Sequence, residues 1–216
     1  MRSQLSAVPD DVPLNQTYAH RFARLLVRPL LGTAVRPNHI TQLRIFIGLA
    51  SCGFLAVGTV RSSIWSGVLW IIACLLDRAD GELARLGDLR SDSGKVLDFY
   101  SDLILDSLWF LAAGVAASRG SLGGIGLVLG LISCASLAVC IVMAEVFERR
   151  SGGGVKTYYG IEQFHPDDAL FLLPAFVWVG WQNVLLVASS AITPVMGVII
   201  VLRYLRLRRV KPSLGS

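Results

Sequence analysis

Charge is scarce in this 216-residue chain: Asp, Glu, Lys and Arg make up 16% of it, against 54% hydrophobic residues and a mean hydropathy of +0.61. That balance excludes an ordinary soluble domain, and several apolar runs approach the roughly 20 residues that cross a bilayer. The first 37 residues lack an apolar core region, so no cleavable signal peptide is expected. Cysteine is sparse as well. Cys52, Cys74, Cys134 and Cys140 all fall inside apolar runs, where they read as small buried hydrophobes, and no disulfide is expected. No internal repeat is visible, and the basic C-terminal "RYLRLRRVK" carries no nucleic-acid signal beyond that of a membrane-flanking anchor.

What is present predicts an all-α integral membrane fold. Six transmembrane helices are expected, with cores near 42–60, 62–77, 98–118, 122–146, 167–181 and 184–203. From Asn15 to Leu31, Tyr18, Phe22, Leu25 and Leu26 share one helical face and Arg21, Arg24 and Arg28 another. This predicts an N-terminal interfacial amphipathic helix with its arginines toward anionic headgroups. The expected organisation is therefore a 1–36 segment holding that helix, a 37–206 membrane domain and a 207–216 basic tail. With the N-terminus inside, segments 1–37, 77–97, 147–166 and 203–216 hold 17 of the 20 Lys and Arg residues. That asymmetry predicts an inner (cytoplasmic) membrane protein with both termini inside.

The stretch "DRADGELARLGDLRSDSGKVLDFYSD", 77–102, breaks the apolar pattern with six aspartates and a glutamate. Asp77 and Asp80, three apart at the end of the second span, share a helical face that Ala84 continues, with Arg85 one step round. Asp98 and Asp102, four apart, open the third span after Gly94 in the turn region. Two neighbouring helices would each present a carboxylate pair at one depth. Carboxylates so close repel unless a cation lies among them, and Mg²⁺ or Mn²⁺ suits an all-oxygen site. Asp88, Asp92 and Glu82 read as solvated. Asp106, one turn deeper, either supports the site or pairs within the bundle.

The full spacing, Asp-x2-Asp-Gly-x2-Ala-Arg-x8-Gly-x3-Asp-x3-Asp, is realised by Asp77, Asp80, Gly81, Ala84, Arg85, Gly94, Asp98 and Asp102. It resembles at every fixed position the signature of the CDP-alcohol phosphotransferase family. Eight such matches arise by chance on the order of once in a million or less. "PNHIT", Pro37 to Thr41, is similar to the family's entry into its first helix. The resemblance implies transfer of a substituted phosphate, foremost phosphatidyl from CDP-diacylglycerol, to an alcohol with release of CMP. It implies Asp77, Asp80 and Asp98 as ligands of two metal ions, with Asp102 as general base also touching the second ion. It further implies donor contacts from Asn38, Thr41, Gly81, Ala84, Arg85, Ser91 and Gly94. Phosphate oxygens suit the planar fork of Arg85, and the glycines allow close approach. A homodimer is implied too, toward which Gly126-x3-Gly130 in the fourth span offers close helix packing.

Three other readings stay open at this level: CDP-headgroup transfer to a lipid alcohol, a membrane prenyltransferase, and a carboxylate-based ion-coupled transporter. The prenyltransferase also uses aspartate pairs but lacks the Gly and Ala-Arg framework, and the transporter predicts repeats and midplane acids. For the acceptor, the inner half of the fourth span, "AVCIVMAEVFE" at 138–148, holds Glu145 and Glu148 and no cation. An acceptor without phosphate is therefore expected, with Glu145 free to meet a hydroxyl or ammonium. His39 is given no role, and His165-Pro166-Asp167-Asp168 reads as a helix N-terminus or an acceptor contact.

Overall fold

The computed structural model describes residues 18–150 and 166–210. The described chain is helical, and no strand occurs among the described residues. In order come α1 (Tyr18–Val27), α2 (Pro37–Val57), α3 (Val60–Leu86), α4 (Asp92–Ser118), α5 (Gly124–Arg150), the short α6 (Leu173–Trp178) and α7 (Gln182–Val210). Single 3-10 segments precede α2 (Arg28–Leu30) and α6 (Pro166–Leu172).

The helix boundaries have local causes. Pro37 occupies the first turn of α2, where its missing N–H is no loss, and the Arg36 N–H donates to His39 Nδ1 at 3.3 Å. Thr59 and Ser62 cap α3 reciprocally: the Ser62 N–H donates to Thr59 Oγ1 and the Thr59 N–H to Ser62 Oγ. Ser91 caps α4 by accepting the Gly94 N–H at 3.1 Å. At the far end, Gly58 stops α2 in the left-handed conformation (φ 76°), and Arg119 donates to the Ala56 carbonyl at 2.8 Å.

Five helices are long and apolar enough to cross a membrane: 37–57, 60–86, 92–118, 124–147 and 182–205. Their outer faces are apolar, with Phe46 73% and Val184 62% exposed, which water would penalise and hydrocarbon accommodates. The chain is a multi-pass membrane protein. The expected span at 167–181 differs from expectation: its described part is 3-10 helix followed by six residues of α-helix, with Pro166 and Pro174 in the first turn of each. Residues 1–17, 151–165 and 211–216 lie outside what is described, as do the side chains of 18–22 (with Tyr18, Arg21 and Phe22 of the expected amphipathic faces), Glu148, Arg150, 166–168 (with Asp167 and Asp168) and 206–210.

Around α2 pack α3 and α4; α5 pairs with α4, and α7 with α5. The interior centres on Trp70 and Trp109, whose ring centroids are 5.8 Å apart, with Leu55, Leu105 and Leu186 wholly buried. Trp70 Nε1 donates to the Leu170 carbonyl at 3.1 Å, which pins the 3-10 segment against α3. Buried polar contacts join helices at depth, among them Ser133 to Ser189 at 2.9 Å. Gly126 and Gly130 are used inside the chain. A Cβ on Gly114 of α4 would lie 2.6 Å from Gly130 Cα and 2.9 Å from the Gly126 carbonyl, so this pair docks α5 on α4.

Candidate active site at one end of the bundle

The aspartates are carried on unbroken helix. α3 continues nine residues past the apolar core expected to end at 77, and α4 begins at Asp92, so Gly94 lies in its first turn and not in the connecting turn. A 27-residue helix is about 40 Å long, roughly 10 Å more than a hydrocarbon core, so the last turns of α3 reach the membrane rim.

There Asp77, Asp98 and Asp102 converge, each offering an oxygen within 4.8 Å of the others. Between them lies a residue that the sequence reading left unassigned. Arg44 on α2 is 4% exposed, and its Nη1 is 2.6 Å from Asp77 Oδ1, 3.3 Å from Asp98 Oδ1 and 3.0 Å from Ser101 Oγ. Its Nη2 pairs with Asp102 Oδ1. One guanidinium thus ties α2 to α3 and α4 through three carboxylates. The fourth, Asp80, is buried and accepts a hydrogen bond from Thr41 Oγ1 at 2.6 Å. Thr41 and Arg44 share the buried face of α2, followed by Gly48, Ser51 and Leu55.

A cavity of about 250 Å³ opens on this cluster, lined by Asp77, Asp80, Asp98 and Asp102, by Arg44, Arg78 and Arg85, and by Gly81, Asp106 and Leu170. Asp106 therefore sides with the site. Arg78 reaches Asp77 Oδ2 with Nη1 at 3.4 Å. A side chain on Gly81 would meet nothing within 4 Å, which leaves its backbone open to a ligand. Asn38 is at the rim: its Oδ1 and Ser91 Oγ lie 3.2 and 3.0 Å from where a Gly94 Cβ would stand. Gly81 and Arg85 thus line the cavity with the acids and Thr41 bonds Asp80, while Asn38, Ser91 and Gly94 lie against one another and Ala84 is a turn beyond Asp80 on α3.

Several expectations are corrected. Glu82 is not solvated: it is 1% exposed and pairs with Arg85 Nη2 at 2.8 Å and Arg24 Nε at 3.4 Å. Arg24 accordingly turns inward on α1 while Arg28 stays exposed, because α1 buries Ala23 and Val27 against α3. Glu145 pairs with Arg149 one turn on. Asp88 and Asp92 are at the surface as expected.

The donor set is oxygen-only, anionic and convergent, which fits a hard divalent cation. A multi-pass helical bundle with an acidic, arginine-lined cavity at one membrane face defines a membrane enzyme that handles a charged, phosphate-rich group beside lipid. Residues 34–198 match the family model described as CDP-alcohol phosphatidyltransferase. The chain belongs to that family of transferases of substituted phosphate groups. It is similar to the "Bifunctional IPC transferase and DIPP synthase" of Rubrobacter xylanophilus, 31% identical over 116 residues. That match covers 54% of this chain and spans about a quarter (26%) of the relative's length.

Proposed function

We propose that the protein transfers a phosphatidyl group from CDP-diacylglycerol to an alcohol and releases CMP, in phospholipid synthesis. The observation that carries this is the convergence of Asp77, Asp98 and Asp102 beside Asp80 in a cavity bordered by Gly81 and Arg85. Arg85 holds donor phosphate oxygens with its planar fork, and Asn38, Thr41, Ala84, Ser91 and the open backbone of Gly81 and Gly94 border the CDP moiety. Asp77, Asp80, Asp98 and Asp102 hold two divalent ions, Mg²⁺ or Mn²⁺. When bound, these neutralise charge on the diphosphate and the leaving CMP. Asp102 takes the acceptor's hydroxyl proton as the oxygen bonds to phosphorus and the bond to CMP breaks. Arg44, paired with Asp102, orients it.

A sixth crossing is supported by chain direction. α5 ends at the aspartate face, whereas Asn183, at the start of α7, donates to Ser121 at the opposite face. These two ends favour a crossing between them. Seven residues of 3-10 helix and six of α-helix cover about 23 Å, since the 3-10 form rises more per residue. We read the aspartate face and both termini as cytoplasmic, from the distribution of Lys and Arg. A homodimer rests on the family resemblance alone, because the glycine pair is already used within the chain.

The test is CMP release by purified protein given CDP-diacylglycerol, a panel of alcohols and Mg²⁺ or EDTA. Release only with a CDP-linked headgroup and diacylglycerol selects the converse reaction. Full release in EDTA removes the metal.

A further inference from the structure

A carboxylate 1% exposed at the edge of a membrane is costly, and substituting an apolar side chain for a buried ion pair is often neutral or better. Glu82 nevertheless lies between two arginines that serve different parts of the molecule. One of its oxygens accepts Arg85 Nη2 at 2.8 Å, and the other faces Arg24 Nε at 3.4 Å. Arg85 is on α3 and lines the cavity, and its Nε also donates to the Gly81 carbonyl at 3.3 Å. Arg24 is on α1, whose Ala23 and Val27 are wholly buried, Val27 in the small core formed with Ile40, Ala79 and Leu83. On the same helix Leu25 and Leu26 point outward, 62% and 47% exposed. Arg24 and Arg85 share the Glu82 carboxylate. Arg24 takes part of the Glu82 charge and leaves Arg85 the more electropositive toward the cavity. Without Arg24 the carboxylate would draw Arg85 onto itself. Without Glu82 the two arginines would repel and α1 would loosen from α3.

We propose that Glu82 is a positioning residue that couples the seating of the interfacial helix α1 to the affinity of Arg85 for the phosphates of the CDP-linked donor. This rests on the donor role proposed for Arg85. The coupling runs both ways, since a ligand that draws on Arg85 must also change the stability of the Arg24 contact. Ordering of α1 at a lipid surface thereby tunes donor capture at the membrane from which the donor comes.

Two measurements test this on the full-length protein. In steady-state kinetics, Arg24→Ala is expected to raise KM for the CDP donor about fivefold and Glu82→Gln about tenfold, with kcat within about twofold of wild type. Arg24→Lys, which keeps the charge, restores most of the KM. The double variant Arg24→Ala/Glu82→Gln is no worse than Glu82→Gln alone, because both act through one contact. A lowered melting temperature with an unchanged donor KM, or additive effects in the double variant, overturns the proposal. The second measurement needs no turnover. Added CDP is expected to slow amide hydrogen exchange in residues 18–27 of wild type and to leave the Glu82→Gln variant unchanged. No CDP effect on those amides in wild type also overturns it. Absence of CMP release by wild type from any CDP donor instead sinks the proposed function, and the exchange experiment still judges the coupling.

Discussion

Replacing Arg44 by Gln removes a cation that touches three of the four motif aspartates, and the structure allows the loss to be sized. At an effective dielectric near 20, unit charges 2.6 Å apart attract by about 6 kcal/mol and those 3.3 Å apart by about 5 kcal/mol, which sets the gross scale for Asp77 and Asp98. Asp98 is half-exposed, so solvent screens its share, and stripping water from the guanidinium offsets several kcal/mol more. Removing one member of such a pair leaves a net loss of about 3 kcal/mol, here because three converging carboxylates lose the cation they share. In a domain of this size that lowers the melting temperature by about 6–12 °C. The assay is thermal unfolding in detergent, in EDTA and again with saturating Mn²⁺. In EDTA the variant melts lower by that margin. With Mn²⁺ most of the gap closes, because the ion supplies the missing charge, and the variant gains more from metal than wild type does. Equal melting temperatures in EDTA, or the same metal-induced shift in both proteins, would refute the view of Arg44 as countercharge.

Asp102→Asn keeps the shape of the side chain but cannot take a proton, so kcat is expected to fall by about 10²–10⁴ with donor binding largely intact. Wild-type rates would remove Asp102 as base. Asp77→Asn and Asp98→Asn are expected to weaken donor binding and Mg²⁺ dependence together, read as a joint rise in donor KM and in the Mg²⁺ needed for half-maximal rate. Gly114→Ala forces a methyl within 2.6 Å of Gly130 Cα, where backbone cannot yield cheaply; the expected loss is about 1–3 kcal/mol in unfolding, with α5 displaced from α4. For the acceptor, kcat/KM is expected to be higher for serine, free inositol or glycerol than for glycerol 3-phosphate or inositol phosphate. Preference for either phosphorylated compound would reverse the argument from the cation-free inner half of α5.

The acids were readable from sequence because their spacing is a property of single helices. Residues three and four apart share a face whatever the rest of the chain does. Arg44 was not readable in the same way, since its meaning lies 33 to 58 residues downstream and a lone arginine in an apolar run gives no hint of its partner. The available signal was its register, three residues after Thr41 on the face that continues to Gly48 and Ser51. Glu82 was misjudged for a related reason: charge near a helix end suggests water, and only the packing of α1 reveals that water is excluded. Hydropathy found the 167–181 segment but not its conformation, which the two prolines and the Trp70 hydrogen bond determine.

The position of Arg44 also bears on how the chain is made. It lies seven residues beyond Pro37, about 10 Å into the first span, and every acid it pairs with is encoded later. A growing chain delivers α2 to the lipid before Asp77 has emerged, and an unpaired arginine inside a span is disfavoured, by about 2.5–3.5 kcal/mol at a helix centre and less toward the rim, on the scale set by translocon insertion. The first span is thus a reluctant passenger until the second arrives. Entry as a hairpin with α3, secured when α4 brings Asp98 and Asp102, is the expected outcome, so that the ion pairs of the finished site would also bear on the order in which the helices settle in the membrane.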